Sequence, residues 1–166
     1  PDGFQPINAA NVRPETVIAR PDQFVGVTTY TGNGGTQSIN VGLKPDFIWL
    51  KCRNEALYNI LIDSVRGNTK ELYSNDTTAE QTTSNTVTSI NQDGFSLGDR
   101  QNTNKNTNTY VGWCWKAGGN KSTFNVDDVG YASASAAGIT DGTIALTGAS
   151  VGTKQGFSIL KYTGSG

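Results

Sequence analysis

From Phe24 onward, apolar and polar residues alternate with a period close to two, in short runs separated by turns rich in glycine or asparagine. That period sends successive side chains to opposite faces of a strand. The first run, "FVGVTTYT" (24–31), leads into Gly32-Asn33-Gly34-Gly35. The second, "DFIWLKCR" (46–53), sets Phe47, Trp49 and Lys51 on one face and Ile48, Leu50 and Cys52 on the other. Both faces are apolar until the charged end, which predicts a central strand covered on both sides. Pro45 can open such a strand but has no place inside one. "YNILIDS" (58–64) follows a short polar turn, with Tyr58, Ile60 and Ile62 on one face, and predicts an antiparallel hairpin with 46–53. Residues 74–86 read as a polar loop. "TVTSI" and "GFSLG" flank Asn91-Gln92-Asp93-Gly94, a connection of the hairpin kind. A second polar loop, 100–108, precedes "TYVGWCWKAGG", where Val111, Trp113 and Trp115 face one way and Gly112, Cys114 and Lys116 the other.

Helical periodicity is not sustained anywhere; "SVRGNTKELY" comes nearest, and Gly67 interrupts it. Residues 120–155 are rich in small residues and carry short alternating runs. Nine or ten short strands with glycine-rich turns predict an all-β fold, an antiparallel β-sandwich of jelly-roll-like kind, over residues 23–153. Residues 1–22 hold Pro1, Pro6, Pro14 and Pro21 without clean alternation, and predict an extended linker or the exit of an upstream domain. At the other end, "GFSILKYTGSG" (156–166) restates "FVGVTTYTGNG" (24–34), with Tyr162 standing 132 residues after Tyr30. Residues 154–166 are therefore either a closing strand or the start of a second similar domain.

Composition narrows the function classes. Net charge is −1 and the basic residues are scattered singly, so no stripe exists to neutralise phosphates, and no nucleic-acid partner is expected. Charged residues are only 16 %; Thr, Asn and Ser supply the missing polarity, which suits strands and their turns. No apolar run approaches the roughly 18 residues that span a bilayer, so membrane insertion is not expected. The chain lacks methionine and reads as a fragment or processed product. Cys52 and Cys114 lie in strand-like runs. They read as buried thiols, or as a disulfide should their strands be neighbours in suitable register.

Candidate chemistry is sparse. Without histidine the commonest general base is missing, and with it every Ser-His-Asp arrangement. Asp63, Glu80, Asp93 and Asp99 are the conceivable carboxylates for glycoside hydrolysis, and nothing places two at the required separation. Their ordinary reading is as turn-forming, solvated acids. Asn125, Asp127 and Asp128 in "NVDDVG" offer oxygen ligands without the spacing of a calcium loop, and read better as a polar turn. "TGNGGT" lacks the Lys-Ser/Thr completion of a phosphate loop. Trp49, Trp113 and Trp115 admit sugar stacking, but alternation inside strong strands favours core packing. In "DSVRG", Asp63 and Arg66 read as a local turn-stabilising ion pair. No catalytic, metal-binding or cofactor-binding residue is expected.

"YTGNGGTQSI", "LKPDFIWLKCR", "LIDSVRG", "INQDGFSLG" and "TYVGWCWKAGG" together resemble a domain of structural proteins from tailed bacteriophages, especially those of marine bacteria. Pro45-Asp46, Trp49, Lys51, Arg53, Asp63, Arg66-Gly67, Asp93-Gly94-Phe95, Gly98 and Trp113 to Gly119 fall on that pattern; Cys52 departs from it, where a polar residue is expected. "PDGFQPINAANV" resembles the exit of a lectin-like or SPRY-like sandwich. The resemblance implies a virion structural protein that is not an enzyme, most simply a tail fibre or adsorption component. Its implied partners are other virion proteins, copies of itself (a trimer, by analogy) and a host surface glycan. Capsid decoration and a secreted carbohydrate-binding or depolymerising module are the alternatives. Contact residues are expected in the two polar loops: Asn75, Asp76, Thr77 and Thr78 in one, and Asn102, Asn104, Asn106 and Asn108 in the other. Amides and hydroxyls there can hydrogen-bond sugars from a rigid scaffold.

Overall fold

Strand β3 (Phe47–Cys52) lies at the centre of the molecule, as its two apolar faces require. The computed structural model describes residues 20–165. The expected extended segment 1–22 falls almost wholly outside them. Pro21–Gln23 forms a single 3₁₀ turn that leads into β1 (Val25–Thr31). The first large sheet is six-stranded. Its order is β1, β9 (Thr109–Trp115), β3, β4 (Ile60–Asp63), β5 (Lys70–Tyr73) and β6 (Gln81–Thr82), antiparallel throughout. The predicted hairpin of 46–53 with 58–64 forms with Ile48 opposite Ile62 and Leu50 opposite Ile60.

A three-stranded sheet covers one face of this layer: β2 (Gln37–Asn40), β8 (Gly94–Leu97) and β7 (Val87–Asn91). Between the two sheets lies the core, in which Ile48, Leu50, Ile60, Ile62 and Cys114 from the large sheet meet Ile39, Val87, Phe95 and Leu97 from the small one. The fold is therefore an all-β antiparallel sandwich, with unequal sheets of six and three strands. β7 and β8 form the predicted Asp-Gly hairpin, with Asn91 opposite Gly94.

The tryptophans correct the sequence reading. Trp49 and Trp113 face each other across β3 and β9, centroids 5.5 Å apart, on the side away from the core, and are half-buried. Trp115 and Phe47, on that same outer face, enclose Phe157 with centroids 6.0 Å away in each case. This aromatic clasp fastens a third sheet to the sandwich: β11 (Val129–Tyr131), β10 (Phe124–Val126), β12 (Leu146–Gly152) and β13 (Phe157–Tyr162). Only the β10–β12 pair is parallel. Within the described residues, segment 154–166 thus forms an edge strand paired with β12. Leu160 and Tyr162 remain exposed on it, whereas Tyr30, the counterpart of Tyr162 in β1, is stacked on Tyr110 at 5.1 Å.

The two cysteines sit on neighbouring strands in the wrong register for a bridge. Cys52 faces Tyr110 and Cys114 faces Ile48, so they stand four residues apart along the ladder. At about 3.3 Å per residue that is roughly 13 Å, twice the reach of a disulfide. Both are free and buried, and burial pushes the Cys114 thiol up to about 12.

Candidate functional site

The motifs that carry the resemblance are consumed by the scaffold. Asp46, fully buried, accepts hydrogen bonds from the amides of Ala117 (2.8 Å) and Gly119 (3.0 Å), and so ties the Pro-Asp motif to the Trp-Lys-Ala-Gly-Gly motif. Gly118 lies so close to Val151 backbone that a Cβ would overlap it. Asp63 accepts from the Val65 and Arg66 amides (3.0 and 2.8 Å) and from Arg66 Nε at 2.6 Å, the local turn-stabilising pair that the sequence predicted. Glu80 takes the other side of the same guanidinium at 3.2 Å. Two carboxylates thus meet, but with a cation filling the space between them. Asp99 accepts from Asn85 at 2.6 Å, and Asp93 stands exposed in its hairpin turn.

"NVDDVG" forms a two-residue hairpin turn between β10 and β11. Asp127 and Asp128 both take positive φ (47° and 66°), as a type I′ turn requires. Asp127 accepts from the Thr153 amide (2.9 Å) and hydroxyl, and Asp128 from Lys116 (2.9 Å). Asn125 is buried against Ser122 and Ala149. Among the described residues no cluster of acidic or cysteine side chains is arranged to hold a metal ion.

Loop 100–108 is not free chain. It contains a one-turn helix, α1 (Gln101–Asn104), that no periodicity announces. Tertiary bonds impose it. Tyr30 donates to the Thr103 carbonyl (2.8 Å), while Tyr110 donates to Gln101 (3.0 Å) and accepts from the Lys105 amide (3.0 Å). Asn104 has 0 % exposure and serves as a hub. Its amide nitrogen donates to Asn33, Gly35 and Gly98, and its oxygen accepts from the Asn33 amide (3.0 Å) and Gln37 (2.6 Å). The Tyr-Thr-Gly-Asn-Gly turn therefore docks directly on this loop, and Gly32 is required because a Cβ would overlap the Lys105 carbonyl.

Asn104 and Asn108 are corrected by this geometry. Asn108 is also buried, donating to Glu55 at 2.6 Å, so neither amide reaches solvent as a contact group. Asn106 stays exposed, and Asn102 is half-buried with its side chain lining a cavity. Thr107, between them, holds a positive φ of 68°, a costly conformation for a β-branched residue. In loop 74–86, Asp76, Thr77 and Thr78 are exposed. The Asp76 carboxylate folds back on the Thr78 amide (2.7 Å) and hydroxyl, which holds its pKa below the usual range. Residues 81–82 of that loop are β6, too short and too polar to register as a strand.

The two loops meet. A cavity of about 430 Å³ is lined by Lys51, Ala56, Leu57, Tyr58, Asn75 and Asn102, and so draws one predicted residue from each loop. Asn75 accepts from the Asn59 amide (2.8 Å), which holds segment 57–59 in place beneath it. A second cavity of about 400 Å³ lies alongside, lined by Asn85, Asp99, Arg100, Gln101 and, again, Asn102. Sequence reasoning missed Tyr58. It precedes β4 rather than joining its inner face, is 42 % exposed, and stacks on Tyr73 with centroids 4.6 Å apart. Tyr73 is anchored in turn by Glu71 (2.8 Å); burial, reinforced by that carboxylate, pushes its phenol up to about 12. A platform of two stacked rings thus borders a cleft of amides and one lysine.

The family model described as Domain of unknown function (DUF7483) matches residues 20–166, and the chain belongs to that family. The chain matches no curated protein and no solved structure.

Proposed function

We propose that this chain is a structural module of a bacteriophage particle, in the tail fibre or adsorption apparatus, and that it contacts a host surface glycan through the cleft shared by its two polar loops. The observation that carries this reading is the meeting of Asn75 and Asn102 beside the stacked Tyr58–Tyr73 pair. Amide side chains present paired donors and acceptors, and a supported aromatic face offers a flat apolar surface; saccharides display the complements of both. Asp46, Asp63 and Asp99 are already held by neighbouring donors, which favours binding over catalysis. The motif resemblance supplies the particle, and the rigid antiparallel scaffold suits presentation of loops.

Immunogold labelling of intact particles, with antibody against residues 24–166, tests the reading. Label at the tail end is the expected result. Label over the shell would move the protein to capsid decoration. Absence of label, with the protein also missing from purified particles by mass spectrometry, would overturn the virion assignment.

A further inference from the structure

The larger cavity sets amides and a lysine against Ala56, Leu57 and Tyr58, and its charges are unevenly matched. Of the nearby carboxylates, Glu55 is paired with Lys105 (2.8 Å), whereas Asp76 and Asp99 are held by neutral donors, the Thr78 amide (2.7 Å) and Asn85 (2.6 Å), and neither lines the larger cavity. Lys51 is different. It lines the larger cavity, is half-buried, and among the described residues has no carboxylate within 4.0 Å. Arg53, two residues along the same strand direction, is exposed and likewise lacks a carboxylate partner among those residues. In the adjoining cavity, Arg100 is already paired with Glu71 at 2.9 Å, so it adds no free charge. An ammonium has three donors and no acceptor, and partial burial strips part of its water. The larger cavity therefore holds one uncompensated positive charge, that of Lys51, beside a flat ring.

We propose that this cleft selects an anionic sugar, whose ring lies against Tyr58 and whose charged substituent meets Lys51, the next sugar of the chain crossing Asn102 into the second cavity. The proposal rests on the glycan reading above and narrows it to acidic surface polysaccharides. Carboxylate (uronate) and sulfate substituents share the required charge. Phe47, Trp49 and Lys51 alternate on one side of β3, so the lysine is placed by a strand rather than by a mobile loop. A charge-assisted hydrogen bond from a partly buried lysine is stronger and shorter-ranged than diffuse surface attraction, which gives it discriminating power.

Isothermal titration of the full chain with three oligosaccharides of equal length separates the possibilities: galacturonate, sulfated galactose and neutral galactose. The expected result is that an acidic oligomer binds roughly ten-fold tighter than the neutral one at low salt, with the preference shrinking as salt rises. Which acidic oligomer leads identifies the substituent. Lys51→Gln should reduce that preference to about unity, and Lys51→Arg should restore it. Tyr58→Ala should weaken all three alike. Equal binding of acidic and neutral oligomers, or a preference that survives Lys51→Gln, overturns the anionic selection while the glycan reading stands. Failure of all three to bind overturns the glycan reading as well. Unfolding midpoints of each variant confirm that the fold is retained.

Discussion

Glu71 is a fully buried carboxylate, and its removal gives the sharpest test of how the loop end of the molecule is held. Its Oε1 accepts from Tyr73 (2.8 Å) and Arg100 (2.9 Å), and its Oε2 from Thr86 (2.8 Å) and Thr83 (3.2 Å). Truncation by Glu71→Ala strands these donors unequally. The two threonine hydroxyls lie 2.9 Å apart and can bond each other. Arg100 loses its carboxylate, and its Nε already has no acceptor among the described residues. Breaking a buried ion pair costs about 3–5 kcal/mol. The Arg100 side chain is 31 % exposed, so water reaches part of the orphaned cation and the lower end applies, about 3 kcal/mol. Glu71→Gln keeps the volume and can keep its oxygen toward Arg100 while its amide meets the threonines. It loses only charge assistance, about 1–2 kcal/mol. Urea unfolding followed by tryptophan fluorescence reports both, because Trp49 and Trp113 pair across β3 and β9. With a slope of about 2 kcal/mol per molar, the alanine variant should shift the midpoint by roughly 1.5 M. Arg100→Ala should cost at least as much, and the double variant less than the two together. Alanine and glutamine variants of equal stability, or an alanine cost below about 1 kcal/mol, would refute the network.

Asn104→Ala should cost about 3 kcal/mol by orphaning donors and acceptors on both the 32–37 turn and Gly98, and should make segment 99–108 protease-sensitive; an unchanged midpoint contradicts the hub. Stability should fall as pH rises from about 9 to 12. The folded state holds the protons of Cys114 and Tyr73 up to about 12 and of Tyr30 higher still, while the unfolded chain releases them near 9 and 10, so these groups contribute fully only below that range. Thermal midpoints measured across this range should decline, less steeply in Tyr73→Phe, and a flat profile would contradict it. Phe157→Ala should accelerate hydrogen exchange in 146–162 while 47–52 and 109–115 stay protected; simultaneous loss in all three segments would mean that the clasp belongs to the core.

The sequence was most legible where backbone periodicity and tertiary burial agree. β3, β4, β9 and the β7–β8 hairpin follow from alternation and Asp-Gly, because a strand buried on one face writes that face into every second residue. Alternation does not say which face is the deeper one, so the tryptophans were assigned to the core when Ile48, Leu50 and Cys114 occupy it. Loop 100–108 defeats periodicity altogether. Asn102, Asn104, Asn106 and Asn108 are chemically identical, and whether each turns in or out is decided by Tyr110 at the loop's end and by Tyr30 and Gly32, which lie far away in sequence. Tyr58 shares a face with Ile60 and Ile62 by spacing alone, yet the strand begins only at Ile60.

The pairing of β1 with β9 has a consequence for how the protein is made. Thr31 meets Thr109 and Val25 meets Trp115, so β1 must wait for roughly 80 further residues before the sheet partner it has among the described residues exists. At ribosomal rates of about 5–20 residues per second, that is an interval of roughly 4–16 seconds. Val27, 60 % exposed even in the finished fold, is uncovered throughout, beside a free strand edge able to pair with another nascent chain. Biosynthesis on crowded polysomes should therefore be the step at which this protein is most vulnerable. Slowing initiation, or supplying a chaperone that shields residues 25–31, should raise soluble yield without altering the stability of the product.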